Sequence, residues 1–189
     1  MKKMFSMIAL MLFTLSLTAQ KTLVSDPAHS RIQFTVIHMG INDITGNMDK
    51  ATLSIQADEA NFAKSTLTFE VDPSSINTHI EARDNHLKSP DFFDVATYPT
   101  MAFTSTSLKK TAKKHYYELH GNLLMHGVTK PVKLTLIYRG STTNKDKTVH
   151  GYQVLGTLKR SDFGVGPKFP EAIISDLVRI KGDFELVEK

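Results

Sequence analysis

The chain has 189 residues, of which 41% are hydrophobic and 22% are charged, with a formal net charge of +4 and no cysteine. A chain of this length can bury a self-sufficient core as one domain. Without cysteine it has neither disulfides nor thiolate metal ligands. The basic residues are scattered and do not form a stripe with interleaved aromatic residues, which argues against a nucleic-acid-binding surface.

The first 19 residues have the pattern of a secretory signal peptide. Lys2 and Lys3 precede an almost charge-free apolar run from Met4 to Leu17. This run is shorter than the about 20 residues that a membrane-spanning helix needs. We therefore expect cleavage after Ala19, export to the periplasm, and a mature domain of residues 20–189; an uncleaved membrane anchor is the alternative. Loss of the two lysines leaves a mature net charge of about +2.

Next come eight stretches in which apolar and polar residues alternate with a period of two. This alternation is typical of a β-strand with one buried face. The stretches are residues 32–39, 51–56, 66–71, 100–104, 117–125, 132–138, 148–160 and 178–186. Turn-forming sequences such as Asp72-Pro73 separate them. The pattern predicts an all-β fold of about eight antiparallel strands with one short helix.

Pairing of the first strand with the last would close such a sheet into a barrel and remove its exposed edges. An eight-stranded barrel is wide enough for packed side chains or for one small ligand. A two-layer sandwich with a solid interior has the same periodicity, so both architectures remain open at this stage. The small inward-facing residues Ala51, Gly121 and Gly156 fit either a hollow interior or close packing.

Residues 75–100 are the one segment that interrupts the alternation. Thr78 and Glu81 have the spacing of a capping box, and Asn77 is a competing cap. A Ser-Pro pair then prevents the helix from continuing. We therefore predict a helix at about residues 78–88, followed by a tight loop.

No catalytic or metal-binding motif is present. The chain lacks a GxSxG nucleophile elbow, an HExxH zinc motif and a phosphate-binding glycine loop. Its eight histidines have no spacing that would place two metal ligands on one strand face. We therefore predict neither catalytic nor metal-ligating residues.

A few polar residues nevertheless occupy informative positions. His38 has inward parity, and is either a core histidine or a polar contact inside a cavity. Arg83 and His86 share one face of the predicted helix, which points either to solvent or to the barrel mouth. Arg160 either holds a turn by pairing with Asp162 or lines an entrance for an anionic or carbonyl head group.

Four stretches of the chain share the pattern of a known family. They are Asp26 to Ser30, residues 75–106, Gly121 to Val132 and Leu158 to Gly164. They resemble the YceI-like family, the lipocalin-like polyisoprenoid-binding proteins of bacteria, and the resemblance extends over essentially the whole mature chain. It implies an exported eight-stranded antiparallel barrel with a helix beside it, enclosing an elongated apolar tunnel. The family commonly has Gly-Asn where this chain has His79-Ile80, so no head-group contact is carried over to that pair.

The resemblance implies an exported, non-enzymatic binder or carrier of a long-chain isoprenoid or similar apolar lipid. No cofactor is expected other than such an isoprenoid or quinone-type lipid. The alternatives are a lipid-modifying hydrolase or transferase with His38 or His86 as base, and a secreted interaction module with a filled core. An encounter with a membrane surface for lipid exchange and a homodimer both fit the lipid-carrier interpretation, whereas a nucleic-acid partner does not.

Strand parity and the helix face together predict ten ligand-binding residues. They are Phe34, Val36, His38, Leu53, Phe69, Arg83, His86, Phe103, Leu123 and Arg160.

Energetics require a long ligand. Association costs on the order of 4–15 kcal/mol, while burial of one methylene returns about 0.8 kcal/mol. Micromolar or tighter binding therefore needs roughly twenty carbons or more once incomplete burial is allowed for. A polyprenyl chain or a quinone meets this requirement, and a fatty acid is marginal.

Overall fold

Residues 20–189, which the computed structural model describes, form eleven strands, one α-helix and four short 3-10 helices. The predicted signal peptide lies outside these residues. The strands are β1 (Gln20–Ser25), β2 (Arg31–His38), β3 (Asn42–Met48), β4 (Ala51–Asp58), β5 (Thr66–Val71), β6 (Ile76–Asn77), β7 (Met101–Lys110), β8 (Tyr116–Met125), β9 (Val128–Asn144), β10 (Lys147–Lys159) and β11 (Leu177–Glu188). The helix α1 is Glu81–Lys88, and the 3-10 helices are Pro27–His29, Phe62–Lys64, Pro73–Ser75 and Arg160–Phe163. No helix within residues 20–189 combines the length and apolar character needed to span a membrane.

Eight of the strands close into an antiparallel barrel, in the order β1, β4, β5, β7, β8, β9, β10, β11 and back to β1. The closing seam places Leu23 opposite Glu188. Further along, β11 pairs with β2, with Arg179 opposite Thr35. Because β1 and β2 follow each other along one edge of β11, the chain has no free edge there. The predicted closed barrel is confirmed, and the sandwich alternative does not fit this pairing.

Three strands extend the wall at one end of the barrel. β2 and β3 form a hairpin with His38 opposite Asn42, and β3 pairs with β6 through Asn47 and Asn77. The chain between β6 and β7 carries α1, which packs beside β6. Strands β1, β3 and β6 were not predicted. The two apolar residues of β1, Leu23 and Val24, are adjacent and do not alternate, β3 is largely polar, and β6 has only two residues.

The start of the helix differs from the prediction, and the predicted capping box is wrong. α1 begins at Glu81, and no side chain caps the preceding Ile80. His79 adopts a left-handed conformation with φ of 61°, which turns the chain between Thr78 and the helix and removes Thr78 from the N-cap position. The end at Lys88 agrees with the prediction, since the chain leaves helical geometry at the residue before Pro90.

Two apolar clusters occupy the interior. The first fills the end of the barrel remote from α1, which we call the closed end; its fully buried members include Leu53, Ile55, Leu67, Leu119 and Leu136. The second lies under α1 and the loops at the opposite, open end, and includes Met48, Ile76, Phe92, Met101 and Phe163. The open end also comprises the β2–β3 tip and the connection between β10 and β11, which we call the 160–176 loop.

Two of the three small inward-facing residues, Gly121 and Gly156, serve close packing. A Cβ atom on Gly121 would lie 2.3 Å from the Phe103 ring and 2.4 Å from the Thr104 carbonyl oxygen. A Cβ on Gly156 would lie 2.3 Å from the Leu134 side chain. These glycines therefore let large neighbouring side chains lie flat against the barrel wall. Of the two interpretations, close packing or a hollow interior, the structure supports close packing at both positions.

We expect Gly121→Ala to lower the free energy of unfolding by about 1–3 kcal/mol, because the backbone oxygen of Thr104 cannot move away as a flexible side chain could. Urea denaturation measures this change. Gly151→Ala is the matched control, since its new Cβ would be 3.3 Å from the nearest atom, Cβ of Arg139, and we expect a change below about 1 kcal/mol. Equal losses for the two variants would contradict this interpretation.

Candidate functional site

A cavity of about 570 Å³ lies in the open half of the barrel. Its floor is formed by Phe69, Phe103 and Phe184, the last large side chains before the packed closed end. The Phe69 ring lies 5.5 Å from that of Phe103 and 5.7 Å from that of Phe184, measured between ring centroids. These three rings seal the cavity from the packed half of the barrel, and a ligand can extend only toward the open end.

The cavity wall is apolar because alternate residues of its strands point inward. β2 contributes Phe34 and Val36, and β11 contributes Val178 and Ile180. Among the lining side chains from residues 20–189, only His38, Thr78, Arg83, His86 and Arg160 carry nitrogen or oxygen. A site of this volume and composition suits an apolar ligand with few polar groups.

Nine of the ten residues that the sequence suggested as ligand-binding line this cavity: Phe34, Val36, His38, Phe69, Arg83, His86, Phe103, Leu123 and Arg160. The tenth, Leu53, is fully buried in the closed-end cluster and does not reach the cavity. Strand parity indicates that a side chain points inward, but it does not indicate how far along the barrel the packed core extends. That these residues contact a ligand stays a prediction.

The loops supply lining residues that sequence periodicity did not identify. Phe92 follows α1, and Val165, Phe169 and Ile174 come from the 160–176 loop. Loops have no repeating pattern that would mark their inward-facing residues. The one available signal was the concentration of phenylalanines in these two segments.

The lining residues that are also exposed mark the mouth of the cavity. They are His38 at the tip of β2, His86 on α1 and Ile173 in the 160–176 loop. The His86 ring lies edge-on between Phe92 and Phe169, at centroid distances of 5.1 and 5.6 Å. The mouth therefore opens between the β2–β3 tip, α1 and the 160–176 loop.

An ion pair joins the two loops beside the mouth. Lys168 Nζ donates to Asp91 Oδ1 at 2.6 Å, and His86 Nε2 lies 3.4 Å from Asp91 Oδ2. The hydrogen bond from Lys168, followed by that from His86, holds the pKa of the Asp91 carboxyl below its ordinary value. Because the folded-state pKa is lowered, this contact is present above the ordinary carboxyl pKa and is lost as the pH falls through the folded value.

Arg83 is held at the cavity by the residue that was expected to cap the helix. Its Nε donates to Thr78 Oγ1 at 2.8 Å, and its Nη2 donates to the Thr78 carbonyl at 2.9 Å. Asp84 accepts a hydrogen bond from the Thr78 backbone N–H at 2.8 Å and another from its hydroxyl. Within residues 20–189 Arg83 Nη1 has no hydrogen-bond partner, which leaves it available to a polar group in the cavity.

Arg160 organises the 160–176 loop. It is 8% exposed, and its guanidinium donates to five backbone carbonyls, those of Val165, Gly166, Phe169, Ile174 and Ser175. A guanidinium has five N–H groups, so none remains for a ligand head group. The suggested pairing with Asp162 is also absent, because that carboxylate bonds to Lys130 at 2.9 Å.

We expect Arg160→Ala to lower the free energy of unfolding by about 3–5 kcal/mol, because buried carbonyls lose their donor. Arg160→Lys should recover only part of this loss, since an ammonium has three donors and no planar fork. Arg179→Ala, which removes an exposed pair with Asp43, is the control and should cost about 1 kcal/mol or less. Similar denaturation midpoints for Arg160→Ala and Arg179→Ala would contradict this role.

We also expect Lys168→Ala to raise the Asp91 pKa, because its main hydrogen-bond donor is removed. A ¹³C NMR titration of the Asp91 carboxyl measures the change, with Lys130→Ala as a control that leaves this carboxylate untouched. An Asp91 titration that is identical in Lys168→Ala and the unsubstituted protein would show that the two loops are not joined in solution.

Closure, cavity and mouth define a class of protein: closed antiparallel β-barrels with an apolar internal cavity. Residues 23–186 match the sequence model of the YceI-like domain family. The chain belongs to the YceI-like family.

Sequence relatives agree with this assignment. A UPF0312 protein of Pectobacterium carotovorum is 32% identical over 152 residues, which are 79% of this chain and 78% of that protein. A UPF0312 protein of Staphylococcus aureus is 31% identical over 142 residues, which are 74% of this chain and 80% of that protein.

Solved structures with the same fold include three informative neighbours. The Campylobacter jejuni YceI protein has a TM-score of 0.73 and 31% identity, covering 81% of this chain and 90% of its own. Burkholderia cenocepacia BcnA has a TM-score of 0.75 and 23% identity, covering 87% and 99%. A polyisoprenoid-binding domain from Saccharophagus degradans has a TM-score of 0.67 and 17% identity, covering 90% and 100%. At the last two identities the likeness shows the fold alone.

Proposed function

We propose that this protein is exported to the periplasm, where it binds and carries a long-chain isoprenoid or a similar apolar lipid without chemically changing it. The observation that carries the proposal is the cavity of about 570 Å³ with its almost entirely apolar lining. The polyisoprenoid-binding description of the Saccharophagus degradans neighbour supports this ligand class. A lipid-binding barrel is also what the YceI-like family implies.

The size of the cavity fits the length that binding energetics require. A water-sized group takes up about 30 Å³ in a condensed phase, so about 570 Å³ has room for roughly 20 non-hydrogen atoms. Burial of that many carbons returns about 16 kcal/mol, which exceeds most values for the cost of association. A longer isoprenoid would fill the cavity and extend through the mouth.

The distribution of polar groups orients the ligand. Phenylalanine rings form the floor, whereas His38, Arg83 and His86 lie toward the mouth. A ligand that enters tail first places its apolar tail on the phenylalanine floor and its head group beside the polar residues. In the opposite orientation the head group would lose its hydration at the floor without gaining a hydrogen-bond partner. The free Nη1 of Arg83 favours a carbonyl or an anionic group at the head.

The two alternative functions have less support. The candidate bases of a hydrolase or transferase, His38 and His86, do line the cavity, but the cavity-lining residues in the described chain include no Ser, Cys or Lys nucleophile for them to activate and no Asp or Glu. The one lining hydroxyl, Thr78 Oγ1, is already engaged by Asp84 and Arg83. A filled-core interaction module does not fit a hollow interior. Membrane encounter and a homodimer stay predictions.

Native mass spectrometry and lipid extraction of mildly purified protein test the proposal. We expect a bound hydrophobic ligand with an isoprenoid or quinone-type chain, because an empty apolar cavity of this size would readily take up such a lipid from the cell. Protein that emerges free of lipid and does not bind added geranylgeraniol, an isoprenoid alcohol, would contradict the carrier function.

A cavity-blocking variant locates the bound tail. Val36 and Val178 line the cavity on paired strands, so Val36→Phe together with Val178→Phe should weaken geranylgeraniol binding about ten-fold or more by displacing several buried carbons. Thr35→Phe is the matched control, because Thr35 lies on the same strand with its hydroxyl 3.3 Å from that of Thr45 on the outer face. Calorimetric titration measures both. Equal affinities would place the ligand elsewhere.

A further inference from the structure

The exposed apolar surface of this protein is confined to the open half of the barrel. Seven large apolar side chains are exposed within residues 20–189: Ile37, Met39, Ile41, Ile80, Leu124, Ile173 and Leu177. Each belongs to the β2–β3 tip, the start of α1, the 160–176 loop, or the end of a strand beside a cavity-lining residue. Ile41 is the most exposed, at 88%, followed by Met39 at 56%. Side chains this apolar at a protruding tip mark a contact surface.

Four of these residues form one continuous structure at the mouth. The Met39 backbone N–H donates to the Ile173 carbonyl at 2.9 Å. Ser175 likewise bonds to both backbone groups of Ile37, each at 2.9 Å. These bonds join the β2–β3 tip to the 160–176 loop. We call Ile37, Met39, Ile41 and Ile173 the apolar rim. Ile173 also lines the cavity, so the rim is continuous with the ligand site.

Lysines without salt bridges are concentrated at the closed end of the barrel, opposite to the exposed apolar side chains. The tip residues 37–42 include no acidic residue and no lysine or arginine. Nearby, Asp43 pairs with Arg179 and Asp91 with Lys168, whereas Glu171 in the 160–176 loop forms no salt bridge with any residue in 20–189. The closed end carries six lysines that form no salt bridge with any residue in 20–189: Lys109, Lys110, Lys113, Lys114, Lys145 and Lys147. The closed end therefore presents a cluster of lysines to water, whereas the β2–β3 tip at the open end presents no acidic residue, lysine or arginine.

We propose that the apolar rim inserts into the surface of a lipid bilayer, so that the cavity opens toward the membrane from which its ligand comes. The inference rests on the proposed function, because a membrane lipid that passes directly between bilayer and cavity never exposes its tail to water. The rim consists of a hairpin tip and a loop, which protrude as separate points. Such points can enter the loosely ordered interface of a bilayer, whereas a folded protein partner would need a complementary surface.

Flotation with phosphatidylcholine vesicles tests the rim in the mature chain, residues 20–189. These vesicles have no net charge, so partitioning reports apolar insertion and not attraction to the lysines. We expect Met39→Asp together with Ile41→Asp to reduce partitioning about ten-fold or more. Thr142→Asp together with Thr143→Asp adds the same charge to the exposed β9–β10 hairpin and should leave partitioning within about two-fold. Equal partitioning of the two double variants, or none by the unsubstituted protein, would overturn the proposal.

Two further measurements on the same variants separate the explanations. Geranylgeraniol binding without vesicles should be unchanged in the rim variant; protein that binds geranylgeraniol but not vesicles would overturn the rim proposal and leave the carrier function standing. Vesicle binding without geranylgeraniol binding would contradict the carrier function alone. Sedimentation equilibrium tests whether the rim is instead an interface between two copies of the protein. A rim variant that turns a dimer into a monomer, with vesicle partitioning unchanged, would identify the rim as a protein interface and overturn the proposal.

Discussion

The hollow half of this barrel depends on where its packed core stops, and three aromatic rings set that boundary. Phe69, Phe103 and Phe184 come from β5, β7 and β11 and meet edge to face or tilted across the interior. Gly121 and Gly182 have no Cβ, which lets the Phe103 and Phe184 rings lie against the strand walls. On the closed-end side of the rings, the inward-facing side chains are buried in the packed core. On the open-end side, inward-facing side chains line the cavity. The ligand site is therefore a continuation of the core that lacks its packing partners.

The roof over the cavity has a different physical basis from the wall. The wall is held by strand pairing around a closed barrel, whereas the roof consists of α1 and the 160–176 loop, which have few backbone hydrogen bonds to the sheet. Arg160 compensates for this by collecting five loop carbonyls around one buried guanidinium, and the Lys168–Asp91 ion pair ties the loop to the segment after α1. Elements held by a few polar contacts open more readily than a sheet, so the roof is the part of the cavity boundary that opens most readily.

Much of the fold could be predicted from the sequence, because a period of two in apolar residues survives wherever one strand face is buried. Seven of the eight barrel strands and β2 followed from that pattern, and the end of the helix at Lys88 followed from Pro90. Strand β1 was missed, and periodicity alone left the closed barrel and the sandwich both open. The start of the helix was also missed, since Asp84 reaches back to Thr78 and His79 takes a left-handed conformation, neither of which local spacing reveals. For the cavity, strand parity identified the inward-facing residues but wrongly assigned Leu53 to the cavity lining instead of the packed core. The point along the barrel at which packing stops depends on contacts between distant strands, which parity does not describe. The role of Arg160 depends on the path of a loop, and no periodic signal describes that path.

A crystal structure of residues 20–189 loaded with geranylgeraniol tests the central claim most directly. The account predicts density for the chain inside the cavity, with its last carbons against Phe69, Phe103 and Phe184 and its hydroxyl near Arg83 and His86. Density on the outer face of the barrel, or a cavity occupied by rearranged phenylalanine side chains with the ligand excluded, would contradict it.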